Sequence, residues 1–160
     1  MHLLLTLLLL LFTNIVWAEA PINLVRVLKS DHKLQLLTDG KVIQEFHVAL
    51  GGSPKGHKRQ EGDEKTPEGA YTLDYKKSDS AFHRAIHISY PNAKDIALAK
   101  TRGVNPGGQI MIHGQKNGLA WLSFLNQRFN WTNGCIALSD EDMDSVWTLV
   151  TEGTPIEILP

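Results

Sequence analysis

The chain predicts a mainly β domain of the α+β class with one or two helices, and three observations carry that expectation. Its first third holds three short runs rich in Val, Leu and Ile, partly alternating and separated by polar turns. One segment near the C-terminus combines a helix-capping signal with apolar residues at helical spacing. A final β-rich run follows it.

Asn23–Ser30 (NLVRVLKS), Lys33–Thr38 (KLQLLT) and Val42–Leu50 (VIQEFHVAL) read as strands of a β-meander. The Asp39-Gly40 pair between the second and third is a hairpin signal, since both residues tolerate positive φ. A loop rich in Gly and charge, Gly51–Gly69, comes next and is expected to be mobile. Ala70–Lys76 (AYTLDYK) and Arg84–Tyr90 (RAIHISY) read as further strands, Pro91–Gly108 as irregular, and Gln109–His113 (QIMIH) as a short buried strand. The helix is expected to begin at Ser139, with Ser139 and Asp142 as a capping box and acids at 140–142 facing the helix dipole. Met143, Val146, Trp147 and Val150 give it one apolar face, Gly153 stops it, and Pro155–Leu159 supplies the last strand.

Residues 1–20 are expected to stand apart from this domain. Leu3–Phe12 is an apolar run interrupted only by Thr6 and followed by small residues at Ala18 and Ala20, the pattern of a cleaved signal peptide. The run is too short for a membrane span, which needs about 20 residues. Its leading residues lack Lys and Arg, so an uncleaved anchor, and with it a membrane contact, stays open. The expected organisation is therefore a signal peptide at 1–20, a single domain at 21–160 and a periplasmic location. Without residues 1–20 the chain carries 16 basic and 16 acidic residues. That balance gives no support for a nucleic-acid partner, which calls for a basic surface.

Cys135 is the single cysteine of the 160 residues, so it has no partner for an internal disulfide. Composition alone leaves both a buried inert thiol and a reactive one open. Its setting, Thr132-Asn133-Gly134-Cys135-Ile136, could place successive N–H groups of a tight turn as an oxyanion hole. The helix dipole is a poor activator, since Cys135 precedes the N-cap Ser139 by four residues. A base must come from elsewhere. Of seven histidines, His113 is distinctive: it ends an apolar strand and is followed at once by Gly114. His83 and His87 would share one strand face, lining a cleft or, as the better reading, facing water. No metal is expected, because His113 and Cys135 lack the spacing of a zinc site, and no cofactor is implied.

Ile112-His113-Gly114, then 17 residues, then Thr132-x-Gly134-Cys135-Ile136 resembles the signature of the L,D-transpeptidase catalytic domain (YkuD-type). Thr66-Pro67-Glu68-Gly69-x-Tyr71 and Pro106-Gly107-Gly108 resemble other segments of that family and fall in its order. Tyr90-Pro91-Asn92, Trp131-Thr132 and the Cys-Ile-Ala ending resemble the subgroup that includes the periplasmic enzyme detaching the outer-membrane lipoprotein from murein. The resemblance implies a β-sandwich or barrel with one or two helices. It implies Cys135 as nucleophile, His113 as base and acid, and the Gly114 carbonyl as the group orienting the imidazole. Backbone N–H groups of Asn133, Gly134 and Cys135 would hold the oxyanion. The implied substrates are peptidoglycan stem peptides and, in one reading, lipoprotein linked to murein. The implied reaction forms a thioester at an L,D bond, resolved by transpeptidation or hydrolysis.

One departure bears on the reaction. Ala137 stands where most relatives carry an Arg two residues after the Cys. Arg84, Arg102 or Arg128 could substitute, and Tyr90, Trp131 and Thr132 are further candidates for substrate contact. The intervening segment Gln115–Asn130 places Trp121, Phe124 and Phe129 either along a substrate groove or against the core. Two other readings stand beside the leading one. A sortase-like enzyme would need a much longer His-to-Cys interval than the 22 residues here, and an Arg after the Cys. A non-catalytic murein-binding module with a degenerate site is the other.

Overall fold

The structure is a computed structural model that describes residues 20–160. The signal-peptide expectation for 1–20 falls, but for Ala20, outside the described residues. Eight strands form one mixed sheet: β1 (Leu24–Leu28), β2 (Lys33–Thr38), β3 (Lys41–His47), β4 (Gly69–Lys77), β5 (Ala85–Ile88), β6 (Met111–His113), β7 (Ile136–Ala137) and β8 (Thr154–Leu159). Helices α1 (Ala93–Arg102), α2 (Ser123–Asn126) and α3 (Asp140–Leu149) complete the described elements, with a 3-10 turn at Ala120–Leu122.

The spatial order is β3-β2-β1-β8-β4-β5-β6-β7. The opening meander forms as the alternation demands, with Val25, Val27, Leu34 and Leu36 all turned into the core. Asp39 (φ 50°) and Gly40 (φ 78°) both take the left-handed conformation that the β2–β3 turn requires. β8 inserts between β1, to which it runs parallel, and β4, to which it runs antiparallel. β6 and β7 are the second parallel pair.

The sheet curls until its two ends meet. Beyond β3 the chain exchanges two hydrogen bonds between Ala49 and Ala137 of β7, at 2.9 and 2.8 Å. The result is a half-barrel around one apolar core, onto which α3 lays Met143, Val146 and Val150, all with no exposed surface.

Three expectations change. Pro91–Gly108 is not irregular: it holds α1, with Asn92 and Asp95 forming a reciprocal capping box and Gly103 (φ 68°) ending the helix. At α3 only half of the expected box forms, Ser139 Oγ accepting from the Asp142 N–H. That helix ends at Leu149, before Gly153, when Val150 returns to extended backbone.

The loop at 51–69 is held by a dense set of cross-ties. Lys29, 4% exposed, donates to the Gly56 and Thr66 carbonyls and to Glu68, at 2.8, 3.0 and 2.8 Å. Asp63 accepts from the N–H groups of Arg59, Gln60 and Lys65 and pairs with Lys58 at 2.8 Å. Burial pushes the Asp63 carboxyl up, but these donors outweigh it and hold the group below its usual range.

Candidate active site

The parallel pair β6–β7 brings the two distinctive residues together. In its register Ile112 lies beside Ile136 and His113 beside Ala137, which places Cys135 across from Met111. Residues two apart on a strand share a face, so His113 and Cys135 open on the same side of the sheet. Both line a cavity of about 390 Å³. Its remaining walls are Lys77, Ser80, Ala81, Phe82 and Ala85 on one side and Gln109, Met111, Trp131, Thr132 and Asn133 on the other.

His113 is 5% exposed and its ring is boxed in by Phe82 and Trp131, with centroids 4.8 and 5.7 Å away. Its Nδ1 lies 2.6 Å from the Gly114 carbonyl oxygen. A carbonyl only accepts, so Nδ1 carries the proton and Nε2 is left with its lone pair. Burial lowers the imidazole pKa, and the Gly114 bond only partly offsets it, so the ring is neutral. The Cys135 thiol points at the Gln109 carbonyl, 3.7 Å away, and its sulfur accepts from the Met111 N–H at 3.4 Å. Burial raises the thiol pKa, against smaller opposing pulls from that N–H and from Lys58. The resting pair is therefore neutral thiol and neutral imidazole.

The turn before Cys135 is built around Thr132. Its hydroxyl accepts from the Gly134 N–H at 3.1 Å and donates to the Cys135 carbonyl at 2.7 Å. The Gly134 donor is thus already used, which removes it from the expected oxyanion set. Asn133 and Cys135 keep N–H groups with no hydrogen-bond partner among the described residues, and both residues line the cavity. Gly134 sits at φ 121°, and a Cβ there would come 2.6 Å from the Lys65 carbonyl, so both conformation and space demand glycine. On the other side of Asn133 lies a second cavity of about 370 Å³, lined by Lys58, Glu61, Glu64, Gly107, Gly108 and Ile110 among others.

The other sequence candidates divide. Trp131 and Thr132 line the cavity. Tyr90 does not: it is 2% exposed, donates to the Pro106 carbonyl and packs edge-on against Tyr71 in the core. Arg84 is turned to α3, pairing with Asp144 at 3.1 Å over the Trp147 ring. Arg102 ends α1, and Arg128 borders a separate hollow with His32 and His47, so neither lines the cavity. His83 and His87 also turn from it, bonding Asp144 at 2.7 Å and Asp74 at 2.6 Å. Trp121, Phe124 and Phe129 neither line the cavity nor join the core, at 70, 63 and 67% exposure. Lys77, Phe82, Gln109 and Met111 are cavity residues that sequence reasoning missed.

A protein-family model for the L,D-transpeptidase catalytic domain (YkuD) matches residues 22–158. The chain belongs to that family. A curated relative, named "Putative L,D-transpeptidase YafK" in Escherichia coli strain K12, is 26% identical over 133 residues. The match takes in 79% of this chain and 46% of the relative, so the chain spans about half the length of the curated relatives it matches. Among solved structures, the helical cell shape determining protein Pgp2 of Campylobacter jejuni is 28% identical with a TM-score of 0.64, over 88% of this chain and 51% of Pgp2. An L,D-transpeptidase of Enterococcus faecium, 16% identical at a TM-score of 0.56 over 88% of this chain and 50% of its own, shares the fold. The L,D-transpeptidase fold accounts for the architecture above: mainly β, with few helices packed on a curled mixed sheet. No helix among the described residues is long and apolar enough to cross a membrane.

Proposed function

We propose that the protein is a periplasmic cysteine enzyme that acts on the stem peptides of peptidoglycan at an L,D bond. One observation carries the reading: the thiol of Cys135 and a neutral His113, held as the Nδ1–H tautomer by Gly114, open into one cavity beside two unused N–H donors. Membership of the L,D-transpeptidase family supports stem peptides as the substrate class. The signal-like residues 1–20 support export, with the domain taken as 21–160.

In this reading the Cys135 sulfur attacks the carbonyl carbon of the scissile amide while its proton passes to His113 Nε2. With both groups neutral at rest, that transfer accompanies attack instead of preceding it. The carbonyl oxygen takes up negative charge between the N–H groups of Asn133 and Cys135; each such donor contributes about 3–4 kcal/mol to the transition state. His113 then returns its proton to the leaving amine as the C–N bond breaks, leaving an acyl thioester. Water or an amine resolves the thioester, with His113 again taking the proton. The two cavities that meet at Asn133 support separate approaches for the acyl donor and for the group that resolves it. Transpeptidation, L,D-carboxypeptidase action and amide cleavage that frees murein-bound lipoprotein share this scheme and differ in leaving group and acceptor.

The test incubates the protein with a disaccharide-tetrapeptide and with a lipoprotein-linked muropeptide, identifying products and Cys135 adducts by mass. Shortened or transferred stem peptide with a transient acyl adduct is expected. Unchanged substrates and an unmodified Cys135 in both incubations overturn the reading.

A further inference from the structure

Ala137, two residues after Cys135, is buried and apolar, and none of Arg84, Arg102 and Arg128 lines the cavity. A single ammonium does line it. Lys77 is the last residue of β4, exposed, and forms no ion pair with any described residue. Every other cavity residue is uncharged, the neutral His113 included.

The sheet register explains how Lys77 comes to be there. Lys77 pairs with Ala85, Ala85 with His113, and His113 with Ala137, so the four form one row across β4, β5, β6 and β7. Adjacent strands lie about 4.8 Å apart, which puts the Lys77 backbone roughly 10 Å from that of His113, within a lysine side chain's reach of the imidazole. Ala85 stands between them, and its methyl leaves that path clear. Lys77 owes its place in the row to a bulge. Between Leu73, paired with Ile88, and Lys76, paired with Ile86, β4 carries one extra residue. Without it, Lys76 would face Ala85. Lys76 is instead committed to the Trp147 carbonyl, 2.6 Å away, on α3. Bulges beside functional sites characteristically re-aim a side chain in this way.

The cavity thus has a neutral base and thiol at its floor and one unbalanced positive charge on the His113 side. His113 is the group that hands a proton to the leaving amine, so the anion that Lys77 can meet belongs to the leaving residue. We propose that the Lys77 ammonium is the counter-ion for the C-terminal carboxylate of the stem peptide, the carboxylate of the residue that departs when Cys135 attacks. Lys77 then selects stem peptides that end one residue beyond the scissile bond. The assignment rests on the function proposed above.

Two measurements on the intact protein separate the two claims. In the first, kcat and KM are compared for a tetrapeptide donor with a free C-terminal carboxylate and for its C-terminal amide, in wild type, Lys77→Gln, Lys77→Arg and the remote surface control Lys94→Gln. Lys77→Gln is expected to lower kcat/KM for the acid by roughly 3- to 10-fold, mainly through KM, the range for a partly exposed charged contact. The acid-to-amide ratio of kcat/KM falls by that factor in Lys77→Gln and is restored in Lys77→Arg, while Lys94→Gln leaves both substrates as in wild type. An acid-to-amide preference equal in wild type and Lys77→Gln overturns the role of Lys77 and leaves the enzymatic reading intact. In the second, Cys135 is alkylated with anionic iodoacetate and with neutral iodoacetamide. The iodoacetate-to-iodoacetamide rate ratio should fall several-fold in Lys77→Gln only. Should wild type turn over neither peptide, the enzymatic reading and the substrate assignment fail together; the alkylation ratio then decides whether Lys77 recruits anions at all, and an unchanged ratio removes that too.

Discussion

Gly114→Ala is the perturbation that most directly tests the role given to the residue after His113. Gly114 has no unusual φ, so alanine is allowed there by backbone conformation and the cost is one of space. A Cβ at this position would lie 2.6 Å from Asp140 Oδ1 and 2.9 Å from His83 Cβ. Asp140 is held in place, accepting the Gln115 N–H at 2.7 Å from the first turn of α3. The methyl must therefore push residue 114 away from α3 or drive Asp140 off its donor. Overpacking of this kind costs about 1–3 kcal/mol, and loss of the Gln115 bond about 1 kcal/mol more. A loss of about 2–4 kcal/mol is expected from urea denaturation, a large share of a typical total of about 5–15 kcal/mol. The same displacement moves the carbonyl that sits 2.6 Å from His113 Nδ1. General-base catalysis is worth about 10²- to 10⁴-fold, so loosening the tautomer should slow Cys135 acylation by about 10- to 100-fold. Gly118→Ala is the comparison: it adds strain at φ 82° but meets nothing within 4 Å, so a cost of about 1 kcal/mol without a rate change is expected. A Gly114→Ala protein within about 0.5 kcal/mol of wild type, acylated at a normal rate, would refute the packing argument.

Lys29→Met should cost about 3–5 kcal/mol, because it strands the Glu68 carboxylate and two loop carbonyls that the buried ammonium now satisfies; chemical denaturation checks it. Tyr71→Phe removes the hydroxyl donated to the buried Asp95 carboxylate at 3.0 Å and should cost about 1.5–3 kcal/mol by the same measurement. The lowered His113 pKa has a signed consequence. Below the unfolded value of about 6.5 the unfolded chain takes up a proton that the folded one refuses, so stability falls as pH drops through that window. His113→Gln should flatten that slope in pH-dependent melting. Cys135 behaves in the opposite sense, since its raised pKa makes folded protein hold the proton longer, and stability should decline as pH rises past about 8.5. Alkylation of Cys135 should correspondingly keep accelerating above that pH.

Strand positions were legible because one face of each strand is buried and the other is not, as at Val25 and Val27. Helix α1 was hidden for the converse reason. Its caps are plain in the sequence, Asn92 with Asp95 and then Gly103, but it buries only Asp95 and Ala99 and leaves Ile96 and Leu98 52 and 37% exposed. A helix pinned by its caps and by the Asp95 contacts to His57 and Tyr71 writes no apolar stripe. At the site, Cys135 and His113 carry their chemistry in their own side chains and in their glycine neighbours. Lys77 and Met111 are ordinary residues made relevant by register, Phe82 is brought in by the loop between β4 and β5, and a one-residue bulge in β4 is invisible in composition.

The same register gives a physical reason for alanine at 137. Residue 137 sits on the seam where the curled sheet meets itself, both of its backbone groups bonded to Ala49 and its side chain wholly buried. A guanidinium placed there would need a path to the cavity or a buried partner, and an unpaired buried charge is among the costliest changes a core can take. At the other end of the row, Lys77 keeps its ammonium in water at the cavity mouth, so a charge there carries little desolvation cost. The row across β4–β7 thus offers two places for a cation beside one imidazole, and in this chain the sheet closure leaves only the outer one inexpensive.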